Sequence, residues 1–372
     1  MNNQTEIGII GAGLAGMTAA IHLLKQGFSV TLFEKNSFPK HKVCGEFISN
    51  EIWDYLQTLD LDINSLQPTK IDTTLLSTLD GKTIESKLPL GGFGVSRYTL
   101  DYYLYQKAQE LGGTIIQANV IDVVFSNDQF TISTDDNKQF KSKVVLGSFG
   151  KRSNMDLQLK RKFFQEKSPW LAVKAHYDFP FPDNVVALHN FDGGYCGVSK
   201  VENNAINVCY LVRYNSFKKH KDISEFQQKV MSKNPYLDIV FKEGKMLFEK
   251  PITISQISFE DKPKIENHMI MIGDAAGMIH PLCGNGMAMA IHGAKIAAEL
   301  VSEYLENNIT RNQLEHKYET QWNGAFKKRV QFGKILSKIL LNTTLSKIVM
   351  KSVLYFPFLL PFIIKKTHGK PI

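Results

Sequence analysis

Gly11, Gly13 and Gly16 stand in the spacing G-x-G-x-x-G, and an acidic residue, Glu34, follows further along the chain. Glycines so spaced do three jobs: the first permits a tight turn, the second lets backbone approach a pyrophosphate, and the third lets a helix pack closely on a strand. An acid at the distance of Glu34 binds both hydroxyls of an adenosine ribose. An adenine dinucleotide is the implied ligand. A second cluster lies near the other end, where Met269-Ile270-Met271-Ile272 runs into Gly273-Asp274 and then into the loop His280-Pro281-Leu282-Cys283-Gly284-Asn285-Gly286-Met287. It offers another carboxylate and another glycine-bearing entry to a helix.

The elements that must position these residues are legible around them. Ile7-Gly8-Ile9-Ile10 reads as a buried parallel strand. The helix after the glycines keeps one apolar face, Leu14, Met17, Ala20, Ile21 and Leu24, with Gly27 placed to end it. Its unpaired N-terminal amides aim at the anionic group. A second strand, Ser29 to Phe33, delivers Glu34. Strand, helix, strand and acid all agree, which a lone glycine motif would not achieve.

The two clusters together resemble the flavoprotein superfamily that contains para-hydroxybenzoate hydroxylase, geranylgeranyl reductases and flavin-dependent halogenases. The resemblance implies FAD, with Asp274 on the ribityl chain and the helix amides at Gly286 and Met287 facing the ring edge where negative charge collects on reduction. Lys42-Val43-Cys44-Gly45-Glu46 looks like the Lys-x-Cys-Gly element of the geranylgeranyl reductases, which sets a cysteine near the ring. Arg97 and Asp101 resemble the family's Arg-x-x-x-Asp helix start, where Arg97 would contact the phosphate or ribityl region. The resemblance also draws Ala15, Lys35, Val120, Gly273, Pro281 and Gly284 into the cofactor-binding set. Three departures matter. Phe149 in Gly147-Ser148-Phe149-Gly150 replaces the aspartate of the usual Ala-Asp-Gly, which puts direct use of a nicotinamide in doubt. With tryptophans only at 53, 170 and 322, the halogenase Trp-x-Trp-x-Ile-Pro is missing, which argues against halogenation. Gly194-Tyr195-Cys196-Gly197 keeps only the tyrosine of the reductases' Tyr-x-Trp-x-Phe-Pro.

The implied fold is α/β: a glutathione-reductase-type Rossmann FAD-binding domain, an inserted β-sheet substrate domain and a helical C-terminal tail. A chain of 372 residues with a hydrophobic fraction of 43% has room for two domains and a sizeable core. Glu34 and Asp274 must meet one cofactor, so the FAD domain is expected to be discontinuous: 1–62, 98–155 and 266–325, with 63–97 and 156–265 forming the substrate domain and 326–372 the tail. Segments Leu171 to Tyr177, Val185 to Phe191, Tyr195 to Val201 and Ala205 to Val212, separated by Asp192-Gly193-Gly194 and Asn203-Asn204, read as a meander that could wall a pocket above the flavin.

Four cysteines, at 44, 196, 209 and 283, show neither metal spacing nor a disulfide framework, so no metal is expected. A reducing cytoplasm is the simpler reading, and the N-terminal apolar run is a Rossmann strand, not a signal sequence. Cys196 and Cys209 are expected to be packing residues, and Cys44 either lines the flavin's reactive face or is simply buried. The formal charge of +8 carries no nucleic-acid motif with it, and no nucleic-acid partner is expected. Position says more. Ten lysines and arginines in the last 46 residues flank the apolar run from Val353 to Ile364, which with its two prolines is too short to span a bilayer. Such a tail suits an interfacial anchor on an anionic leaflet, at the inner face of the membrane, with a break near Asn342-Thr343-Thr344 turning Lys334, Lys338, Lys347 and Lys351 one way. The alternative is a hairpin packed over the substrate domain.

The expected function is an FAD-dependent oxidoreductase with a lipophilic substrate, with hydroxylation of a phenolic, polyketide or isoprenoid compound as the leading reaction. Reduction of a carbon–carbon double bond is the first rival, favoured by Cys44-Gly45 and by Gly277, where hydroxylases usually carry histidine. A flavin electron-transfer protein without its own turnover is the second. Candidate catalytic residues are Cys44, His280 and Tyr195, with His176 behind them; His280 could equally be a histidine satisfied by backbone contacts. No second G-x-G-x-x-G occurs, so NAD(P)H, if used, would dock transiently.

Overall fold

A computed structural model describes residues 3–164, 168–255 and 257–372; residues 165–167 and 256 of the expected substrate domain, like 1–2, lie outside the described residues. Two sheets organise the chain. In the first, the strands run in the order Ile265–Glu266, Met269–Met271, Gln139–Gly147, Gln4–Ile10, Val30–Glu34, Thr114–Gln117, and the hairpin Val120–Ser126 with Gln129–Thr134 extends from Gln139–Gly147. From Met269–Met271 to Thr114–Gln117 the neighbours are parallel. Ile7, Ile9 and Ile10 are buried because both faces of this sheet are covered, one by helices and the other by the hairpin, whose Ile132 side chain would lie 2.5 Å from a Cβ on Gly8. The helix Leu14–Lys25 lies close on it: a Cβ on Gly16 would sit 2.2 Å from the Gly11 carbonyl oxygen. That contact is the steric reason for the third glycine. The helix stops where expected, with Gly27 at φ +87°.

The second sheet runs Lys245–Met246, Trp170–Asp178, Ile206–Arg213, Gly194–Lys200, Val185–Phe191, Thr69–Ser77, Thr83–Gly94, Phe47–Ser49, with Ile252–Ser255 also on Trp170–Asp178. The expected four-strand meander is corrected here. Trp170–Asp178 pairs with Ile206–Arg213, while Thr69–Ser77 occupies the flank of Val185–Phe191 in parallel register, Val185 opposite Thr73. The order is therefore that of a Greek key. The exchange has a consequence, because it puts Lys174 opposite Cys209 and His176 opposite Asn207. Phe47–Ser49, directly after Cys44-Gly45-Glu46, pairs with Thr83–Gly94 and so ties that loop to the second sheet.

Helix Gly286–Leu305 and the long helix Arg311–Leu341 close the nucleotide side, with Tyr318, Trp322 and Phe326 buried between them and the first sheet. Arg311–Leu341 runs without interruption through position 326. It ends at Asn342, whose side chain accepts from the amides of Thr344 and Leu345 at 3.1 and 3.0 Å and so starts a new helix, Thr343–Tyr355. A last helix, Leu359–Thr367, folds back on it. Val353, Leu360 and Ile364 bury themselves against Phe47, Ile71 and Leu88 of the second sheet.

Candidate functional site

A single cavity of about 700 Å³ extends from the carboxyl ends of the parallel strands, past the second sheet, to the tail helices. Ligands of open α/β sheets bind at that end of the strands, beside a reversal of strand order. Gly11, Gly13, Ala15, Glu34, Lys35, Lys42, Cys44, Gly45, Arg97, Val120, Gly273, Asp274, Pro281, Gly284, Gly286 and Met287 all line it, as does Tyr195. Gly16 does not, since its place is the helix–strand contact described above.

The glycine loop has the shape a pyrophosphate needs. Gly11 sits at φ +98°, and a Cβ there would fall 2.4 Å from the Ser148 carbonyl oxygen, so only glycine makes the turn. A Cβ on Gly13 would point into the cavity, 3.8 Å from Lys42 Nζ and 3.9 Å from Arg97 Nη2. Both cations are held by one carboxylate: Asp101 accepts from Arg97 Nε and Nη2 at 2.6 and 2.8 Å and pairs with Lys42 at 3.0 Å. Burial pushes the Asp101 carboxyl up, and Arg97 and Lys42 outweigh it, leaving it below the ordinary range. Two positive charges on one negative leave a net positive wall facing the glycine amides. Glu34 is steadied by the amide and side chain of Asn36 at 3.0 and 2.7 Å and receives the Ala12 amide at 3.2 Å.

The Gly273-Asp274 turn is fixed through its carbonyls. Lys262 Nζ donates to the Asp274 carbonyl at 2.8 Å, and Arg161 Nη1 donates to the Ala275 carbonyl at 3.0 Å. Lys262 is buried, and burial lowers its ammonium to about 8 against the pull of Asp274 and Asp156. Asp274 lines the cavity, as do Gly286 and Met287 at the start of helix Gly286–Leu305.

Cys44 stands where this cradle meets the second sheet, its Sγ 3.3 Å from Met287 Sδ. The loop carrying it is held from four directions. Asn207 Nδ2 donates to the Cys44 carbonyl at 3.1 Å, Lys151 to that of Val43 at 3.3 Å, and Lys174 to that of Lys42 at 3.2 Å. The fourth hold is Glu46. Its backbone is left-handed at φ +56°, costing about 1–2 kcal/mol for a residue with a Cβ. Its buried carboxylate takes hydrogen bonds from Lys174, from His176 Nε2 at 2.7 Å and from the Arg97 amide at 2.7 Å. Burial pushes that carboxyl up, and the His176 hydrogen bond and the Lys174 charge outweigh it, keeping it below the usual carboxylate range.

Three expectations change. His280 is buried off the cavity among Trp170, Tyr195 and Phe259; its Nδ1 accepts from the Leu282 amide at 3.3 Å, and burial lowers it to about 3. A neutral imidazole that caps a turn is no acid or base for this cavity. His176 serves Glu46 and does not line the cavity either. Cys209, expected to be packing, lines the cavity beside Tyr195; burial raises its thiol and that of Cys283 to about 12, so both stay protonated. Sequence reasoning missed Lys174 and Asn207, whose strand positions look like ordinary polar alternation, and Lys262, which sits in the loop before Ile265–Glu266. The tail packs on the second sheet, which is the alternative raised from the sequence, and its Val349, Val353, Leu360, Ile363 and Ile364 also wall the cavity, which sequence reasoning missed.

A family model described as an FAD binding domain matches residues 4–332. The chain belongs to that family. It is an FAD-dependent oxidoreductase of the superfamily that holds para-hydroxybenzoate hydroxylase and the geranylgeranyl reductases. Digeranylgeranylglycerophospholipid reductase 2 of Methanothermobacter thermautotrophicus is 23% identical over 90% of this chain and 87% of its own length. Conditioned medium factor receptor 1 of Dictyostelium discoideum is 22% identical over 86% and 68%. Among solved structures, the flavin-dependent brominase Bmp2 superposes with a TM-score of 0.79 at 18% identity, covering 98% of this chain and 93% of that one. PqsL of Pseudomonas aeruginosa, a probable FAD-dependent monooxygenase, gives 0.74 at 15% identity over 94% and 100%. At such identities the superpositions establish the fold.

Proposed function

We propose that this FAD-dependent oxidoreductase reduces carbon–carbon double bonds in a long-chain isoprenoid or related lipid. The observation that carries the reading is the continuity of the cavity: from the cradle at Gly11, Gly13 and Asp274 it passes Cys44 and ends in a chamber walled by Leu76, Leu88, Val186, Val353, Leu360 and Ile363. A chamber with such apolar walls suits a chain of methylenes and methyls and contributes about 25 cal/mol per Å² of apolar surface covered. The digeranylgeranylglycerophospholipid reductases among its relatives, matched over most of both lengths, support the same reading.

Bound FAD supplies the two-electron redox chemistry. In this reading Gly11, Gly13 and the Lys42–Arg97–Asp101 group hold its pyrophosphate, Glu34 its adenosine ribose and Asp274 its ribityl chain. Ala15, Lys35, Val120, Gly273, Pro281 and Gly284 shape the walls, and the amides at Gly286 and Met287 offer positive potential to the ring. Cys44 and Gly45, fixed by Glu46, set how closely a substrate double bond approaches. Tyr195 closes the pocket on the side of the second sheet and, with its phenol pushed up by burial, stays neutral.

A second reading, hydroxylation of a phenolic or polyketide lipid, is favoured by Asn190, Ser199 and Thr253 on the same wall, which could orient a polar ring. Mass spectrometry of the product decides. FAD-loaded protein reduced with dithionite or NAD(P)H under argon and given a prenyl lipid should add two hydrogens per double bond. A product that forms only in air and gains one oxygen would replace the first reading by the second.

A further inference from the structure

The charge of this molecule is divided unevenly. Of 44 basic and 36 acidic residues, ten basic and no acidic ones lie after position 326, which leaves 34 basic against 36 acidic groups for the rest of the chain. The whole net positive charge therefore belongs to the tail. Among the described residues only Arg329 and Lys334 of those ten are paired with a carboxylate, to Glu51 and Asp261; Lys338, Lys347, Lys351, Lys365 and Lys366 stand exposed.

The same segment exposes its largest side chains. Tyr355 is 78% exposed, Phe358 69%, Phe362 56% and Phe356 54%, with Ile348 and Leu345 beside them. Large apolar side chains exposed on one hairpin together with exposed lysines are not a surface that water alone explains. It is also built, not frayed. Helix Arg311–Leu341 anchors one end in the core, and the other end is tied to Glu51, which receives the Gly369 amide on its carboxylate and the Ile372 amide on its carbonyl. Asn285 adds a bond to the Thr367 carbonyl at 3.0 Å. Between these anchors the two short helices bend by 116°, so Tyr355, Phe356 and Phe358 form the tip. No single described helix is long and apolar enough to cross a membrane.

We propose that the hairpin from Thr343 to Thr367 docks on the surface of an anionic lipid bilayer, with Tyr355, Phe356, Phe358 and Phe362 in the acyl boundary and Lys347, Lys351, Lys365 and Lys366 on headgroup phosphates. The opposite face of the hairpin, Val353, Leu360, Ile363 and Ile364, is the wall of the cavity, so the docked hairpin is the path by which a lipid leaves the bilayer for the flavin. Charge selects this occupant: a second copy would bring ten further positive charges to the same patch, whereas an anionic leaflet neutralises them. Docking stands on exposure and charge alone. Delivery rests on the lipid substrate proposed above.

Sedimentation of the FAD-loaded chain with vesicles tests docking. Binding to vesicles containing phosphatidylglycerol should exceed binding to phosphatidylcholine vesicles at least tenfold and fall as salt is added, and each exposed lysine replaced by serine should cost about fivefold. A variant with Phe356→Ser, Phe358→Ser and Phe362→Ser, none of which lines the cavity, should lose binding at least tenfold with FAD absorbance intact. Equal binding to both vesicle types, unchanged binding of the FAD-loaded serine variant, or a wild-type dimer that this variant converts to monomer would each overturn docking. Delivery is read separately: the same variant should match wild type on detergent-dispersed prenyl lipid and fall behind on vesicle-embedded lipid. Equal rates on both refute delivery, and absence of turnover on either by wild type refutes the lipid substrate while leaving the docking result standing.

Discussion

Replacing Lys174 by methionine probes what holds the Cys44 loop in place. Methionine keeps much of the apolar stem and deletes the ammonium that pairs with Glu46, a carboxylate with no exposed surface. Removing one partner of a buried ion pair costs about 3–5 kcal/mol. His176 and the Arg97 amide still donate to Glu46, which places the expectation at the lower end, about 3 kcal/mol. With an unfolding entropy of about 2.1 cal/mol/K per residue over 372 residues, that lowers Tm by roughly 4 °C. The loss should depend on pH in a definite direction. In the wild type the lowered Glu46 carboxyl stabilises the fold above its unfolded value and loses that contribution as pH falls through the folded one. Without Lys174, a charge and a hydrogen bond that hold the carboxyl down are gone and it rises, so its ionised form costs the fold more at neutral pH and that cost fades on acidification. The gap between variant and wild type is therefore widest near pH 7 and narrows toward about pH 5. Adding Glu46→Gln to Lys174→Met should recover most of it, because no buried charge is then left unpaired. Thermal release of flavin fluorescence across that pH range measures all three proteins. A gap below about 1 °C, a gap constant with pH, or a double variant no better than the single one would refute the account.

Other expectations are as direct. Asp274→Ala and Glu34→Ala should each weaken FAD binding by about 1–3 kcal/mol, read by titration of the apoprotein, since each strands sugar hydroxyls without an acceptor. Cys44→Ala should change the rate of flavin reduction or turnover with FAD content intact; a drop in Tm with catalysis preserved would make it a packing residue. His280→Phe should retain turnover at neutral pH, since the histidine is neutral and off the cavity, and a large loss of rate with normal FAD content would restore it to the chemistry. Lys262, lowered to about 8 by burial, holds fewer protons folded than unfolded between that value and the ordinary lysine range, so its contribution to stability rises with pH there. The difference in Tm between wild type and Lys262→Met should accordingly shift in favour of wild type from pH 8 to pH 10, and a flat difference would contradict it.

How much of this was legible in the sequence follows from the range over which each force acts. Gly11, Gly13 and Gly16 are fixed by local backbone geometry, and the strand and helix around them by the periodicity of their own apolar residues. That is why the nucleotide cradle, Glu34 and the Gly273-Asp274 turn could be recognised from the chain alone. The break near Asn342 was expected only from the facing of the lysines on either side of it, and the structure supplies its local cause, an N-cap contact within one turn. Tertiary structure decided the rest. Lys174 meets Glu46 only because Thr69–Ser77 takes the flank of Val185–Phe191 and sends Trp170–Asp178 to the other side of the sheet, a choice between pairings that individual strands do not encode. His280 lost its candidacy through burial among aromatics drawn from three separate segments, and the tail became a cavity wall by packing on a sheet far away in sequence. Residue type and spacing determined that this protein holds an adenine dinucleotide, and the family resemblance those motifs carry made it FAD. Which side chains surround the reacting end of that cofactor depended on long-range packing, whose energy comes from surfaces that meet only once the chain has folded.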